Sequence, residues 1–262
     1  MPKPRVLLWD IETAPILGYV WGLWENNVAL NQIHTDWYVL SWAAKWLDDP
    51  ASSVMYMDQR NARNMENDKA IMLALWKLLN RADVVVTQNG KAFDQKKVNA
   101  RFIMHGFKPP APFKHIDTKL LAQKNFAFTS NKLEYMTDKL CVKYKKLKHK
   151  KFAGFEMWRE CLAGNPDAWK EMEKYNKYDV LSLEELYLKL APWDSQVNFT
   201  LYDNDISQCK CGSKHIIKKG YHYSRASKTQ RYKCIDCGHW THGKTNLLSK
   251  DQRVNIRSGI PD

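Results

Sequence analysis

The sequence predicts an α/β core, a mixed sheet flanked by helices, followed by a small metal-stabilised unit near the C-terminus. Three observations carry this reading. Short apolar or β-branched runs alternate with stretches of helical periodicity from Val6 to Leu190. A strand, helix, strand order around residues 68–87 marks a parallel crossover. Four of the six cysteines fall between Cys209 and Cys237, a clustering that suggests metal rather than a disulfide framework.

Taken in order, Val6 to Thr13 is an apolar run that turns acidic at its end, as a buried central strand does when it delivers carboxylates to a site. Tyr38 to Trp46 and Ser53 to Met57 read as strands that extend it by hairpin pairing. Asp68 to Leu79 carries Ile71, Leu75, Leu78 and Leu79 at helical spacing, and Asp83 to Thr87 is a β-branched strand running into Asn89-Gly90. Phe93 to His105 reads as a helix closed by Gly106, Lys114 to Thr118 as a short strand, and Asn131 to Val142 as a further helix. Lys143 to Lys151 holds six lysines in nine residues and is expected to be a solvent-facing loop. Asn165-Pro166-Asp167 starts a long helix that Pro192 stops near Leu190. The expected organisation is a main domain over 1–195, a linker over 196–206, a cysteine-rich unit over 207–243 and a loose tail over 244–262.

The 262 residues include 41 Lys+Arg against 28 Asp+Glu, a formal net charge of +13. A polyanionic partner follows, nucleic acid first. A 44% hydrophobic fraction with 12% aromatics excludes a disordered basic tail. No run approaches a membrane span, and the N-terminus lacks a signal-peptide apolar region, so a soluble cytoplasmic protein is expected with no membrane partner. Cys141 and Cys161 read as buried thiols.

Asp10 and Glu12 lie two apart on one strand, so they leave the same face, and two carboxylates that close need a cation between them. Asp94 starts a helix after the turn at Asn89-Gly90. Tyr175 and Asp179, four apart on the long helix, sit about 40° from each other around its axis and can face one site. Hard oxygen ligands select Mg²⁺ or Mn²⁺, and two such ions are the device for in-line displacement at a phosphodiester.

These motifs resemble the DEDD 3′-to-5′ exonucleases of the ribonuclease H-like fold, in the branch with tyrosine in the third motif. Asp10-Ile11-Glu12-Thr13 is similar to the first motif, Asn89 to Asp94 to the second, and Tyr175 to Asp179 to the third, over roughly residues 5 to 191. The resemblance implies two Mg²⁺ or Mn²⁺ held by Asp10, Glu12, Asp94 and Asp179, with Tyr175 orienting the attacking water. It also implies that Asn89 and Phe93 support the terminal nucleotide and that nucleoside 5′-monophosphates are released. Asp117 ends a predicted strand and reads either as a fifth acidic group or as a helix cap, the cap being favoured.

Cys209-Lys210-Cys211 and Cys234-Ile235-Asp236-Cys237 form two knuckles that can close one structural Zn²⁺ site around two predicted strands, Ile216 to Gly220 and Gln230 to Lys233. The unit resembles the zinc ribbons of some transposases. Its first knuckle has one residue between cysteines where two are usual, so His215 or His239 stands as an alternative to Cys209. Lys218, Lys219, Arg231 and Tyr232 combine phosphate-contacting charge with stacking surface, and Lys146 and Lys148 of the lysine loop are read as phosphate contacts. Each Trp of the stretch after Thr13 is read as core, with a wedge against the terminal base as the alternative.

The expected function is a metal-dependent 3′-to-5′ exonuclease of DNA, single-stranded ends preferred, whose ribbon aids binding. An exoribonuclease with the same site and a non-catalytic nucleic-acid-binding recruitment protein are the competing readings. With no polymerase portion, a replication or repair role would call on a separate protein partner.

Overall fold

The protein's structure, a computed structural model, describes residues 4–147, 151–194, 197, 208–209, 211 and 213–256. Lys148, Lys210, the expected linker apart from Val197, and residues 257–262 of the expected tail lie outside the described residues. The chain divides into two compact units, Arg5–Leu190 and the stretch from Ala191 onward.

The first unit contains β1 (Val6–Thr13), β2 (Leu17–Gly18), β3 (Ile33–Thr35), β4 (Val39–Trp46), β5 (Met55–Asp58), α1 (Lys69–Leu79) and β6 (Val84–Thr87). It continues through α2 (Asp94–Met104), β7 (Lys114–Asp117), α3 (Thr118–Asn125), α4 (Leu133–Leu140), α5 (Glu156–Leu162) and α6 (Pro166–Leu190). Five strands form one mixed sheet in the order β5-β4-β1-β6-β7. β1 pairs antiparallel with β4 and parallel with β6, so the crossover through α1 is parallel as its sequence order predicts.

The side-chain alternation of β1 decides where the site lies. Leu7, Trp9 and Ile11 pack with Ile71, Met72, Leu75, Val98 and Phe102 in the layer formed with α1 and α2. Their neighbours Asp10 and Glu12 therefore emerge on the opposite face, toward α6. That second layer is built on Leu40 with Met157, Cys161, Trp169, Met172 and Tyr175 from α5 and α6. Cys141 and Cys161 are buried free thiols, and burial raises both above the ordinary thiol range.

Two expectations are overturned here. The tryptophans after the first motif do not all join the core, since Trp21 is 100% and Trp24 86% exposed. They sit on an arm between β2 and β3, a two-stranded hairpin outside the main sheet whose side chains meet no second layer. The lysine loop is not wholly solvent-facing either, because Lys146 turns inward with its side chain only 24% exposed. α3 starts at the cap that the sequence favours for Asp117, and α5 carries Cys161.

The second unit holds β8 (Ile216–Tyr223), β9 (Lys228–Cys234), β10 (Trp240–His242) and α7 (Lys250–Val254). The strands form an antiparallel three-stranded sheet in the order β10-β9-β8. After Gly243, the Leu247 amide donates to the Lys228 carbonyl and Ser249 caps α7 through a capping box with Gln252, so this part of the expected loose tail is built against β9. No helix among the described residues is long and apolar enough to cross a membrane.

Candidate metal centre

Asp10, Glu12 and Asp179 converge, with one carboxylate oxygen from each lying within 4.8 Å of the others. β1 supplies two of them by its period of two, and α6 supplies the third across the sheet face. Asp94, at the first turn of α2, stands beside Asp10; its Oδ1 accepts the Ile11 amide at 3.3 Å. All four carboxylates of the predicted set are thus at one place, with Asp94 flanking the triad rather than within it.

Each carboxylate has its own fixed donor. The Asn176 amide donates to Asp10 at 2.7 Å, and its other end accepts the Ser41 hydroxyl at 3.2 Å, which sets the amide's orientation. The Trp158 indole donates to Glu12. The Lys146 ammonium donates to Asp179 at 2.9 Å, bonds the Tyr175 hydroxyl, and lies 4.8 Å from the Tyr175 ring centroid. Trp158 meets the same ring edge-on, at 6.3 Å between centroids.

The electrostatics follow from crowding acids in a desolvated place. Burial and then the Asp94, Glu12 and Asp179 charges hold the Asp10 carboxyl well above the usual range. Burial and then Asp179 push Glu12 up to about 8, and burial pushes Asp94 up to about 6 despite two backbone N–H groups that favour its ionised form. Tyr175 is also raised, by burial first and by Asp179 second, so it is a neutral hydroxyl at ordinary pH. A cluster of hard oxygen donors whose charges repel one another fits a divalent cation of the Mg²⁺ or Mn²⁺ kind.

Asp117 is resolved as a cap and a brace. Its Oδ1 accepts from the backbone amides of Lys119, Leu120 and Asn89, and its Oδ2 from Lys91. It thereby holds both the start of α3 and the turn that leads to Asp94. In that turn Asn89 has φ of 63°, and a Cβ on Gly90 would lie 2.2 Å from Thr87 Oγ1. Only glycine fits there without displacing the strand end.

Beside the carboxylates, a cleft of about 450 Å³ is lined by Gln88, Asn89, Lys119, Gln123, Lys132 and Lys146, among others. Asn89 accepts the Lys119 ammonium at 3.0 Å. Phe93 is 41% exposed and lies 5.2 Å from the Lys97 ammonium. Asn176, Trp158, Ser41 and Lys119 are additions that the motif reading misses. Asn176 had a signal, since it lies three residues before Asp179 on one helix face; Trp158 had none.

In the second unit the sulfurs of Cys209, Cys211, Cys234 and Cys237 all lie within 4.8 Å of one another, with Cys209 and Cys237 at 3.6 Å and Cys211 and Cys234 at 3.7 Å. Neither histidine alternative joins them. The ring of His215 faces Asp236 and that of His239 faces the Pro192 carbonyl. Hydrogen bonds from neighbouring amides and thiols lower Cys234 to about 7 although its burial acts the other way. Four converging thiols suit a tetrahedral zinc site. On the strands around it, Arg231 lies 4.8 Å and Lys233 5.7 Å from the Trp240 ring, and Lys228 lies 4.1 Å from that of Tyr221. Lys218 pairs opposite Tyr232, and Lys219 accepts Arg231 on its carbonyl.

A profile described as the RNase_H superfamily matches residues 43–191, more than half of the chain. The matched range includes Asp94, Tyr175 and Asp179 and begins after Asp10 and Glu12. No curated protein sequence matches the chain. Among solved structures, the family B DNA polymerase of the hyperthermophilic archaeon Pyrobaculum calidifontis is similar over 73% of this chain, with a TM-score of 0.52 and 17% identity. The matched part is 25% of that polymerase.

Proposed function

Because the chain belongs to the RNase H superfamily, we propose that it is a metal-dependent 3′-to-5′ exonuclease that prefers single-stranded DNA ends and releases nucleoside 5′-monophosphates. The observation that carries the reading is the convergence of Asp10, Glu12 and Asp179 with Tyr175 alongside. The likeness in fold to a DNA polymerase supports DNA over RNA as substrate.

In this reading Asp10, Glu12, Asp94 and Asp179 hold two Mg²⁺ or Mn²⁺. When bound, the ions supply an activated water and charge stabilisation at the attacking and leaving oxygens. The protein's own groups do the positioning. Tyr175, held neutral by burial, has a hydroxyl that can orient a water against the terminal phosphodiester. Asn176 and Trp158 fix the rotamers of Asp10 and Glu12. Asn89, Phe93 and Lys146 border the space where the terminal nucleotide sits. In the second unit the four cysteines hold one structural Zn²⁺, and Lys218, Lys219, Arg231 and Tyr232 contact the strand. Between Lys214 and Lys233 there are seven lysines and arginines and no acidic residue, the charge pattern of a surface that neutralises phosphates.

The test is a time course with 5′-labelled single-stranded DNA and RNA of one sequence, in Mg²⁺ or Mn²⁺, comparing the protein with Asp10→Ala. A ladder shortening from the 3′ end that disappears in the variant is expected, faster on DNA. No shortening of either strand, with equal binding by both proteins, would overturn the exonuclease and leave a binding protein.

A further inference from the structure

The arm between β2 and β3 combines order with exposure. Tyr19 and Gln32 exchange backbone and side-chain bonds, the Gln32 amide donating to the Tyr19 carbonyl and accepting from Ala29, and Asn26 donates to Gly22. These polar bonds define the arm without an apolar interior. Leu17 is 58%, Tyr19 69%, Trp21 100%, Leu23 88%, Trp24 86% and Leu30 88% exposed. Apolar patches of this size on a folded surface mark an interaction site rather than an accident of packing.

Charge selects the partner. From Ala14 to Trp37 there is no lysine or arginine, in a chain that has 41, and the segment carries two acids, Glu25 and Asp36. A surface for a phosphate backbone needs cations, and three of the six exposed groups are leucines, which offer a base no stacking face. Two copies of a chain with net charge +13 repel each other, so contact between them requires a cation-free face. The arm is such a face. Area permits it: these six side chains and their neighbours Ile16, Val20 and Val28 expose on the order of 1,000 Å² over all sides of the arm, so a stable interface of about 800 Å² per partner would have to enclose most of it.

We propose that the arm is a self-association surface, through which a second copy of this chain packs its Trp21, Leu23 and Trp24 against the same residues across a two-fold axis. A symmetric contact of this kind is self-complementary and closes at two copies. The inference is independent of the exonuclease reading.

Sedimentation of the full chain between about 1 and 100 µM tests it, in low and in high salt. The expected result is a monomer–dimer equilibrium that tightens with salt, since screening relieves the repulsion while apolar contact persists. Trp21→Ser with Trp24→Ser should raise the dimer dissociation constant about 30-fold or more, as removal of central aromatic anchors does. Both residues are exposed, so far-UV circular dichroism should be unchanged; Leu23→Ser with Leu30→Ser is the second variant and should act in the same direction. A monomer throughout the range overturns the proposal. So does a double variant that dimerises as the parent does, or one that loses affinity for single-stranded DNA with its mass distribution unchanged.

Discussion

Replacing Asp117 separates a brace from a ligand. Its buried carboxylate accepts four backbone N–H groups, two at the start of α3 and two in the turn that carries Asn89 and Lys91. Asp117→Ala removes the helix cap, costing about 1 kcal/mol, and strands the two turn amides in a partly buried place, at about 1–3 kcal/mol each. A loss of about 3–7 kcal/mol is expected in urea unfolding, toward the lower end because both turn amides are only partly buried. Asp117→Asn keeps the Oδ1 acceptor that serves three of the four donors, and the loss should shrink to about 1–2 kcal/mol. Titration with Mn²⁺, followed by its paramagnetic signal, is the companion assay. As a brace, the Asn variant keeps the parent's metal stoichiometry. The reasoning fails if Asp117→Ala costs less than about 1 kcal/mol, or if Asp117→Asn loses a metal equivalent.

Gly90→Ala should lower stability by about 2–3 kcal/mol, seen as a drop in melting temperature, because the new methyl meets Thr87 at a strand end with no free volume. The metal-free protein should become less stable as pH rises from about 4 to 8. Glu12 and Asp94 have folded pKa values raised above their unfolded ones, so the native state binds more protons in that window and loses stability as they leave. Melting curves with saturating Mn²⁺ should flatten that slope; a melting temperature that climbs with pH in the metal-free protein would contradict the crowding argument. Arg231→Ala and Lys233→Ala should each reduce the salt slope of single-stranded DNA binding by about 1, measured by fluorescence anisotropy.

The strands and α6 were legible because each announces itself locally. A β-branched run bounded by turn residues can be little else, and Pro166 and Pro192 bracket α6 at both ends. The face of β1 that carries Asp10 and Glu12 followed from alternation alone. What sequence could not supply was any property set by a distant neighbour. Whether Trp21 is core depends on a second layer opposite it, and nothing in a single sequence says that none exists. Lys146 was read from the sequence as a phosphate contact, and only the fold shows that it reaches Asp179. The fourth thiol was ambiguous for the same reason, since spacing permits Cys209 or a histidine and the hairpin geometry brings Cys209 in. β10 is three residues long, too short for period-two alternation to register.

The carboxylate cluster is held together by groups that do not cancel its charge. The Ile11 amide, the Asn176 amide and the Trp158 indole are neutral donors, each from a different element, and among the described residues that bond the cluster only Lys146 brings a full positive charge. Burial first, and then four carboxylates against one ammonium, raise Asp10 and Glu12, while burial raises Asp94, so that all three retain protons. Cation uptake must therefore displace protons, and apparent metal affinity should rise with pH until Glu12 is ionised near 8. The neutral donors serve a different purpose. By fixing each carboxylate's orientation before any cation arrives, they remove the rotamer entropy that binding would otherwise have to overcome. Orientation and charge are thus supplied by separate residues. Substituting Asn176 should loosen the site's geometry with little effect on its pH dependence, whereas substituting Lys146 should shift that dependence upward.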